Sequence, residues 1–588
     1  MQYGDQAEVV EFLTRSQYDK TNTEPRVIET HISIIVLRGD RAWKLKRALH
    51  LPYLDFSTAA MRATACEREV QLNRRTAPGI YLGTRRITRQ ADNTLAFDGD
   101  GALVDAVVEM RRFDDQGLFS RLAAEGGLTR NVLTALARNI AGFHQQAQIH
   151  PGVAGAGAIE SVLELNEQNT DMAAVFGNDA VRALRSALRC GLQQHQTLLD
   201  ARAAAGKIRH CHGDLHLRNI CLIDGVPTLF DCIEFNESIA VIDVLYDLAF
   251  LLMDLWQAGL RADANWVMNR YLDACDEIDG LTLLPYFMAL RASIRAQVLA
   301  TQAQLPGISH RDQIVAEAQN YLDLAMSMLE PAAPILVAIG GLSGSGKSTV
   351  AAGIAHLIGA PPGARVLASD RIRKHLAGVP PESTLPPHTY TREASERVYR
   401  TLYQQAEAIL ANRASVVADA VFARPEERQR IEHCAARADV PFVGIWLQVQ
   451  ADTLITRVEA RRDDPSDAGK DVVLEQLARY QPASDWANIE AGEAAEATLH
   501  KVLAVIESHP VPTIASASPP PWSEAPPGWD WLAQDADGRW YWYAVEPQLG
   551  FAGGVWRSPR RAQQFAAQGA CNPRWHESCR KRPQGETT

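Results

Sequence analysis

Two stretches of this 588-residue sequence hold residues whose types and spacing suit work on phosphate groups. In one, Gly341, Ser343, Gly344, Ser345, Gly346, Lys347, Ser348 and Thr349 lie in GLSGSGKST, which matches GxxxxGK[ST] at every fixed position. Glycines let backbone N–H groups curl around phosphate oxygens, and the start of a following helix favours the same anion. Lys347 can reach the outer phosphates, and the Ser348 hydroxyl can join a Mg2+ shell. In the other, His212, Asp214 and Asn219 stand in HCHGDLHLRN, and Asp231 follows the apolar run PTLF. Asp214 can handle the proton of an attacking hydroxyl, while Asn219 and Asp231 offer oxygen ligands to Mg2+.

Further residues downstream complete the glycine-rich stretch. Asp419 ends the run SVVAD, where a carboxylate would hold Mg2+ through water. Asp370, in SDRIRKHLAGVP, could accept a proton from a hydroxyl, and Arg373 could hold an anionic group. Arg457, Arg461 and Arg462 fall at helical spacing before DDPSDAG, where they could neutralise charge developing on phosphate.

The elements that must position these groups follow two rhythms. HISIIVLRG and RAWKLKRA read as short strands joined by Gly39 and Asp40. AAMRATACEREVQLNRR reads as a helix, ALVDAVVEM is an apolar run, and helical periodicity dominates from Arg130 to about Pro331. From Ile335 the runs ILVAIG, ARVLAS, SVVADAVF and PFVGIWLQV alternate with helical segments, the sign of a parallel sheet with crossover helices. The glycine-rich loop falls between the first of these strands and TVAAGIAHLI, the setting that its chemistry requires.

GGLSGSGKST, SDRIRKHLAGV, VVADAVF and RVEARRDDPSDAG together resemble the small P-loop kinases, which include gluconate, chloramphenicol and polynucleotide kinases and zeta-type toxins. The resemblance implies transfer of the ATP γ-phosphate to a hydroxyl, with Asp370 as the base. HGDLHLRN followed by LFDCIEFN reproduces the spacing of kinase catalytic loops and resembles the aminoglycoside phosphotransferase and choline kinase superfamily. The closest likeness is to bacterial fusions of such a domain ahead of a P-loop kinase. That resemblance implies a strand lysine on the ATP phosphates and a glutamate partner on the next helix. Lys44 and Lys46 point the same way along one strand; Lys44 is favoured, with Lys46 behind it. Glu69 is the favoured partner and Glu67 the alternative. Val108 to Met110 would face adenine as the hinge, and only Gly39-Asp40 stands where a glycine-rich phosphate lid would lie.

The expected fold is multi-domain: an α+β two-lobe kinase-like domain over 1–331, an α/β P-loop domain with a parallel sheet over 332–509, a Pro-rich linker over 510–527, and a small β-rich unit over 528–588. Seven of twelve tryptophans lie between Trp522 and Trp575, and the tail faintly resembles a WW domain but reads better as an aromatic-cored β unit. Asp537-Gly538 would be its hairpin turn. The expected ligands are ATP, Mg2+ and a small-molecule hydroxyl acceptor. A formal net charge of -11 argues mildly against a chain that coats nucleic acid. Asp243, Asp247 and Asp254 break the most apolar stretch, so no membrane span is expected. Nine scattered cysteines and a start without a secretion signal point to a cytoplasmic chain with reduced thiols. Glu234, Glu237 and Asp247 could line an acidic pocket for a polycation, although Asp243 and Asp247 suit bracing the catalytic loop better. The rival readings are an ATP-binding switch and a toxic P-loop kinase restrained by its N-terminal domain.

Overall fold

A computed structural model describes residues 6–15, 24–30, 32–51, 54–168, 171–305, 310–381, 383–460, 466–479, 485–509, 519–535, 539–549, 556–558, 563–568 and 578–583. The chain forms two compact units: Met1–Ala158 with Leu199–Ala258, and Ile159–Leu198 with Gly259–Thr588. The expected boundary at 331 is not where they part, because the helices from 261 onward pack with the P-loop region.

The first unit is built on a six-stranded antiparallel sheet. Its strands are β1 (Arg26–Glu29), β2 (Ser33–Arg38), β3 (Arg41–Lys46), β4 (Tyr81–Arg89), β5 (Leu95–Phe97) and β6 (Ala102–Arg111), in the order β1-β2-β3-β6-β4-β5. Strand alternation sorts β3 between two faces. Trp43 and Leu45 pack with Val9, Val10 and Leu13 of helix α1 (Ala7–Arg15). Ala42 faces Cys66 and Val70 of α2 (Ala59–Asn73), and Lys44 and Lys46 share that face. Helix α2 starts at Thr58, whose side chain accepts from the Met61 N–H. Its buried positions Arg62, Cys66, Glu69, Val70 and Asn73 form one stripe at helical spacing. Glu69 is therefore inside, whereas Glu67 is exposed. Gly39, at φ +54°, and Asp40 make a two-residue hairpin turn, so no extended glycine lid exists there.

Strand β6 corrects the expected hinge. Val108, Glu109 and Met110 pair with β3 on one side and β4 on the other. An interior strand spends its backbone groups on both neighbours, leaving none at these residues for adenine. The chain leaves the sheet only after Arg111.

The second unit contains helix α4 (Arg261–Ala274) and a five-stranded parallel sheet. Its strands are β7 (Leu336–Gly340), β8 (Arg365–Ala368), β9 (Val416–Asp419), β10 (Phe442–Gln448) and β11 (Ala487–Glu490), in the order β8-β9-β7-β10-β11. Val337, Ile339, Val417, Val443 and Ile445 are buried in one core, as expected for strands covered on both faces. The order brings the carboxyl ends of β8, β9 and β7 side by side, with Ala368 level with Asp419 and Asp419 level with Ile339. In parallel sheets this rim is where ligands sit.

The tail holds an antiparallel sheet of Trp531–Gln534, Arg539–Tyr543, Gln563–Gln568 and Arg580–Lys581. Leu532, Trp540 and Trp542 pack on one face with Trp522, while Ala533, Tyr543 and Trp556 pack on the other. The Trp522 ring lies tilted against Trp542 at 5.2 Å, so the chain from 519 onward belongs to this unit and not to a linker. The rest of the expected linker, residues 510–518, and the Asp537-Gly538 turn lie outside the described residues. Among the described residues no helix is long and apolar enough to cross a membrane.

Candidate active sites

In the first unit the strand lysines and helix glutamate meet. Lys44 Nζ lies 2.9 Å from Glu69 and also contacts Asp231. Lys46 contacts Glu69 and Glu234 and is fully buried. Burial would push the Glu69 carboxyl up, but Lys44 and Lys46 together outweigh it and hold it down to about 2. For Glu234, burial prevails over the two lysines and the carboxyl is raised. Two ammonium groups thus face three carboxylates. Lys44 is the one that reaches the half-exposed Asp231, while Lys46 is enclosed, which corrects its place among cofactor-binding candidates.

The catalytic-loop residues converge on the same side. Asn219 Nδ2 donates to the Asp214 backbone carbonyl at 3.0 Å and to its carboxylate at 2.9 Å, which leaves Asn219 Oδ1 for a ligand. Asp231 adopts φ +62°, a conformation that aspartate tolerates better than most residues. Its N–H donates to the Tyr81 hydroxyl at 3.0 Å, and the Cys232 N–H donates to Asn73 Oδ1 at 2.9 Å. Burial lowers the His212 pKa, and the neutral ring donates from Nε2 to the Phe230 carbonyl at 2.9 Å. That bond ties the Asp214 loop to the Asp231 segment. Gly213, at φ +83°, replaces the arginine of kinase loops; a Cβ there would press on Ile233 and the Ile239 carbonyl.

Helix α3 (Val244–Gln257) braces the loop from below. Asp247 accepts from the N–H groups of His212 and Gly213 at 3.0 and 2.8 Å, and Asp254 accepts from Leu217 at 2.9 Å. Asp243 instead holds buried Arg202 at 2.8 Å. No acidic pocket forms from the expected trio, because Glu234 turns inward to Lys46, Glu237 pairs with Arg68, and Asp247 serves the loop. His144, Cys211 and Asp247 cluster closely, but the Asp247 oxygens already serve His144, His212 and Gly213, and Cys211 bonds to the Ile242 carbonyl.

In the second unit the glycine-rich loop joins β7 to helix α5 (Lys347–Ile354), with Gly346 at the helix start. Gly344, at φ +90°, lets the loop lie against α7 (Ala451–Glu459), since a Cβ would sit 2.7 Å from the Leu454 carbonyl. Ser348 Oγ donates to Asp419 Oδ2 at 2.6 Å. A hydroxyl and a carboxylate this close, at the rim of two adjacent strands, are the donor set that Mg2+ favours. Lys347 Nζ donates to the Leu342 carbonyl at 3.0 Å, folded over the loop. Ser345 is buried, while Thr349 is exposed on the first turn.

Asp370 and Arg373, the residues expected to face an acceptor, lie on α6 (Ser369–Leu376). Asp370, partly exposed in its first turn, makes no hydrogen bond or ion pair among the described residues. One turn on, Arg373 donates to the Thr389 carbonyl at 2.8 Å and stacks over Tyr390 at 4.9 Å. Its partners are neutral, and its Nε is buried without one. Buried Lys374 is neutralised by Asp467 at 2.6 Å, which also accepts from Leu385 and Tyr390.

Sequence reasoning missed two residues, Gln476 against the glycine-rich loop and Asp467 against Lys374. Gln476, on α8 (Lys470–Arg479), accepts from the Ser343 N–H at 2.9 Å and donates to its hydroxyl at 3.1 Å. Asp467 lies in the noticed stretch DDPSDAG, but nothing in its spacing names Lys374 as partner. Arg457 is committed to the backbone: its guanidinium donates to the carbonyls of Ala491, Gly492 and Glu493. Arg461 and Arg462 lie outside the described residues.

Comparison with known proteins finds one match over the Asp214 loop and one over the glycine-rich loop. Residues 102–279 match the Phosphotransferase enzyme family, and residues 336–483 match an AAA domain. Uncharacterized proteins of Mycobacterium tuberculosis and Mycobacterium bovis are 30% identical over 471 residues, 78% of this chain and 90% of theirs. The chain belongs to the family of these mycobacterial proteins. An adenylyl-sulfate kinase of Myxococcus xanthus is 30% identical over 170 residues, covering 29% of this chain and 82% of the kinase. Among solved structures, aminoglycoside 2'-phosphotransferase-IIIa is 15% identical with a TM-score of 0.34, covering 54% of this chain and 97% of that one. A Sinorhizobium meliloti gluconokinase is 18% identical with a TM-score of 0.23, covering 30% and 93%. Those two scores are too low to carry weight. The family matches make the chain a phosphotransferase with two kinase-type domains.

Proposed function

We propose that the chain transfers the γ-phosphate of ATP to hydroxyl groups of small molecules at two centres. The observation that carries this reading is the state of Asp370: a carboxylate without hydrogen-bond or ion-pair partner among the described residues, two residues beyond the strand end that is level with Asp419. Pure nucleotide binding has no use for it, whereas a hydroxyl acceptor needs a proton sink.

At the first centre Lys44 grips the inner phosphates of ATP, Glu69 fixes Lys44, and Asn219 and Asp231 hold Mg2+. Asp214 takes the acceptor proton as the hydroxyl oxygen bonds to phosphorus and the bond to ADP breaks. At the second, backbone N–H groups of Gly344, Gly346 and Thr349 with Lys347 cradle the phosphates, Ser348 and Asp419 hold Mg2+, and Asp370 takes the proton. The metal supplies charge neutralisation at the transferring group. Arg373, with only neutral partners, suits an anionic group on the second acceptor. Since Glu234, Glu237 and Asp247 are all committed elsewhere, a polycationic acceptor is disfavoured at the first centre.

The test is transfer from γ-labelled ATP into a metabolite extract, with products read by mass spectrometry. Asp214→Asn and Lys347→Ala should each abolish a different set of products. Free phosphate as the sole product of the wild-type chain would sink the proposal and favour the switch reading.

A further inference from the structure

The edge of the parallel sheet is closed by a helix that lies within the other family match. Strand β8 is at the sheet edge, paired on one side to β9. Its other side exposes the Ala364 carbonyl and the Val366 N–H, groups that an edge strand leaves open. Helix α4, residues Arg261–Ala274, supplies partners for both. Asn269 Oδ1 accepts from the Val366 N–H at 2.8 Å, and its Nδ2 donates to the Ala364 carbonyl at 3.2 Å. Asn265 donates to the same carbonyl at 3.1 Å and to Pro362 at 3.0 Å. One asparagine amide thus does what a neighbouring strand would do.

One turn further along α4, Asp273 gathers three arginines. Arg365 Nη2 lies 2.8 Å away, and Arg270 and Arg371 each lie 3.2 Å away. Burial would raise the Asp273 carboxyl, but the three guanidinium groups outweigh it and keep it ionised. Arg365 opens β8, and Arg371 follows Asp370 directly in the chain. The pair Asn269 and Asp273 therefore grips the strand and the first turn of α6 on which Asp370 is mounted. Arg373 and Lys374, farther along the same helix, are held by other groups.

We infer that Asn269 and Asp273 are positioning residues of the P-loop centre, setting Asp370 against Ser348 and Asp419, although both lie inside the segment matched to the Phosphotransferase enzyme family. The second centre is then incomplete without the C-terminal helix of the first family match. A P-loop kinase cut out at residue 332 would lose the partner of its edge strand and the counter-charge of Arg365 and Arg371. This inference rests on the proposed role of Asp370.

The experiment uses the full chain, comparing wild type, Asp273→Asn and Arg371→Lys. Hydrogen exchange is followed in peptides spanning 364–377 and 341–350, nucleotide affinity with a non-hydrolysable ATP analogue on the Lys44→Ala background, and transfer to any product that Asp370→Asn abolishes. Asp273→Asn should speed exchange in 364–377 at least ten-fold and cut kcat at least ten-fold. KM for ATP and analogue affinity should stay within two-fold. Arg371→Lys, which keeps the charge, should lie between. Lower thermal stability with unchanged kcat would make Asp273 a merely structural residue and overturn the inference, as would equal losses of nucleotide affinity and kcat. If the wild-type chain forms no Asp370-dependent product, the proposed function fails by itself. The exchange result then decides separately, and unchanged exchange in 364–377 overturns the grip.

Discussion

The Ser348 hydroxyl donates to the Asp419 carboxylate across 2.6 Å, joining the helix after the phosphate loop to the end of the neighbouring strand. The ends of two adjacent parallel strands therefore bring together the pair proposed to hold Mg2+. Asp419→Asn keeps the shape and one acceptor oxygen but removes the charge. Transfer at the second centre should fall by roughly 10²–10³, with products of the first centre unchanged. Equal loss of both product sets would contradict this assignment.

Lys44 and Lys46 should separate function from stability. Lys44→Ala removes the ammonium that contacts Asp231 yet leaves Glu69 paired with Lys46. First-centre transfer should be lost while the fold persists. Lys46→Ala strands Glu234 in a buried site and should cost roughly 3–5 kcal/mol, read as an earlier midpoint in urea unfolding. If the two variants unfold alike, the buried ladder is wrongly read.

Glu69 gives the first unit an acid-sensitive contribution. Its carboxyl falls from an ordinary 4.5 to about 2 on folding, so the stabilisation is complete above pH 4.5 and is lost as pH drops toward 2. Glu69→Gln mimics the protonated state. The stability gap between wild type and this variant should be on the order of 3 kcal/mol at pH 7 and shrink steadily below pH 4.5. A gap that stays constant down to pH 3 would show that the lysines do not hold Glu69 ionised.

The thiols beside this centre should be inert. Burial pushes Cys66 and Cys232 up to about 12, so almost no thiolate exists at pH 8. Neither should react with an aromatic disulfide reagent in the native chain, and both should react in urea. Peptide mapping by mass spectrometry checks this, and rapid native labelling at Cys66 would contradict the packing of α2 on the sheet.

Legibility in the sequence follows how local each signal is. The phosphate loop is readable because strand, glycines, lysine and helix are consecutive, and Asp419 because its strand ends in the same run. Lys44 and Lys46 share one strand face, so alternation leaves the choice between them open, and it is the buried stripe of α2 in the folded chain that separates Glu69 from Glu67. What escapes are partners fixed only by tertiary approach. The Tyr81 hydroxyl under the Asp231 N–H, the Asn269 amide on the edge of β8, and Gln476 on Ser343 leave no mark in their own neighbourhoods. Arg457 misleads for a related reason: spacing shows that an arginine is present but not that three carbonyls claim it. The adenine hinge is misplaced because an apolar run does not reveal that its strand has neighbours on both sides.

A chain with two independent ATP centres binds two nucleotides, and stoichiometry tests this without knowledge of either acceptor. Equilibrium dialysis of the full chain with Mg2+ and a non-hydrolysable ATP analogue should give two molecules bound per chain. Lys44→Ala and Lys347→Ala should each leave one, and the double variant none. A wild-type value of one, abolished by either single substitution alone, would contradict the account.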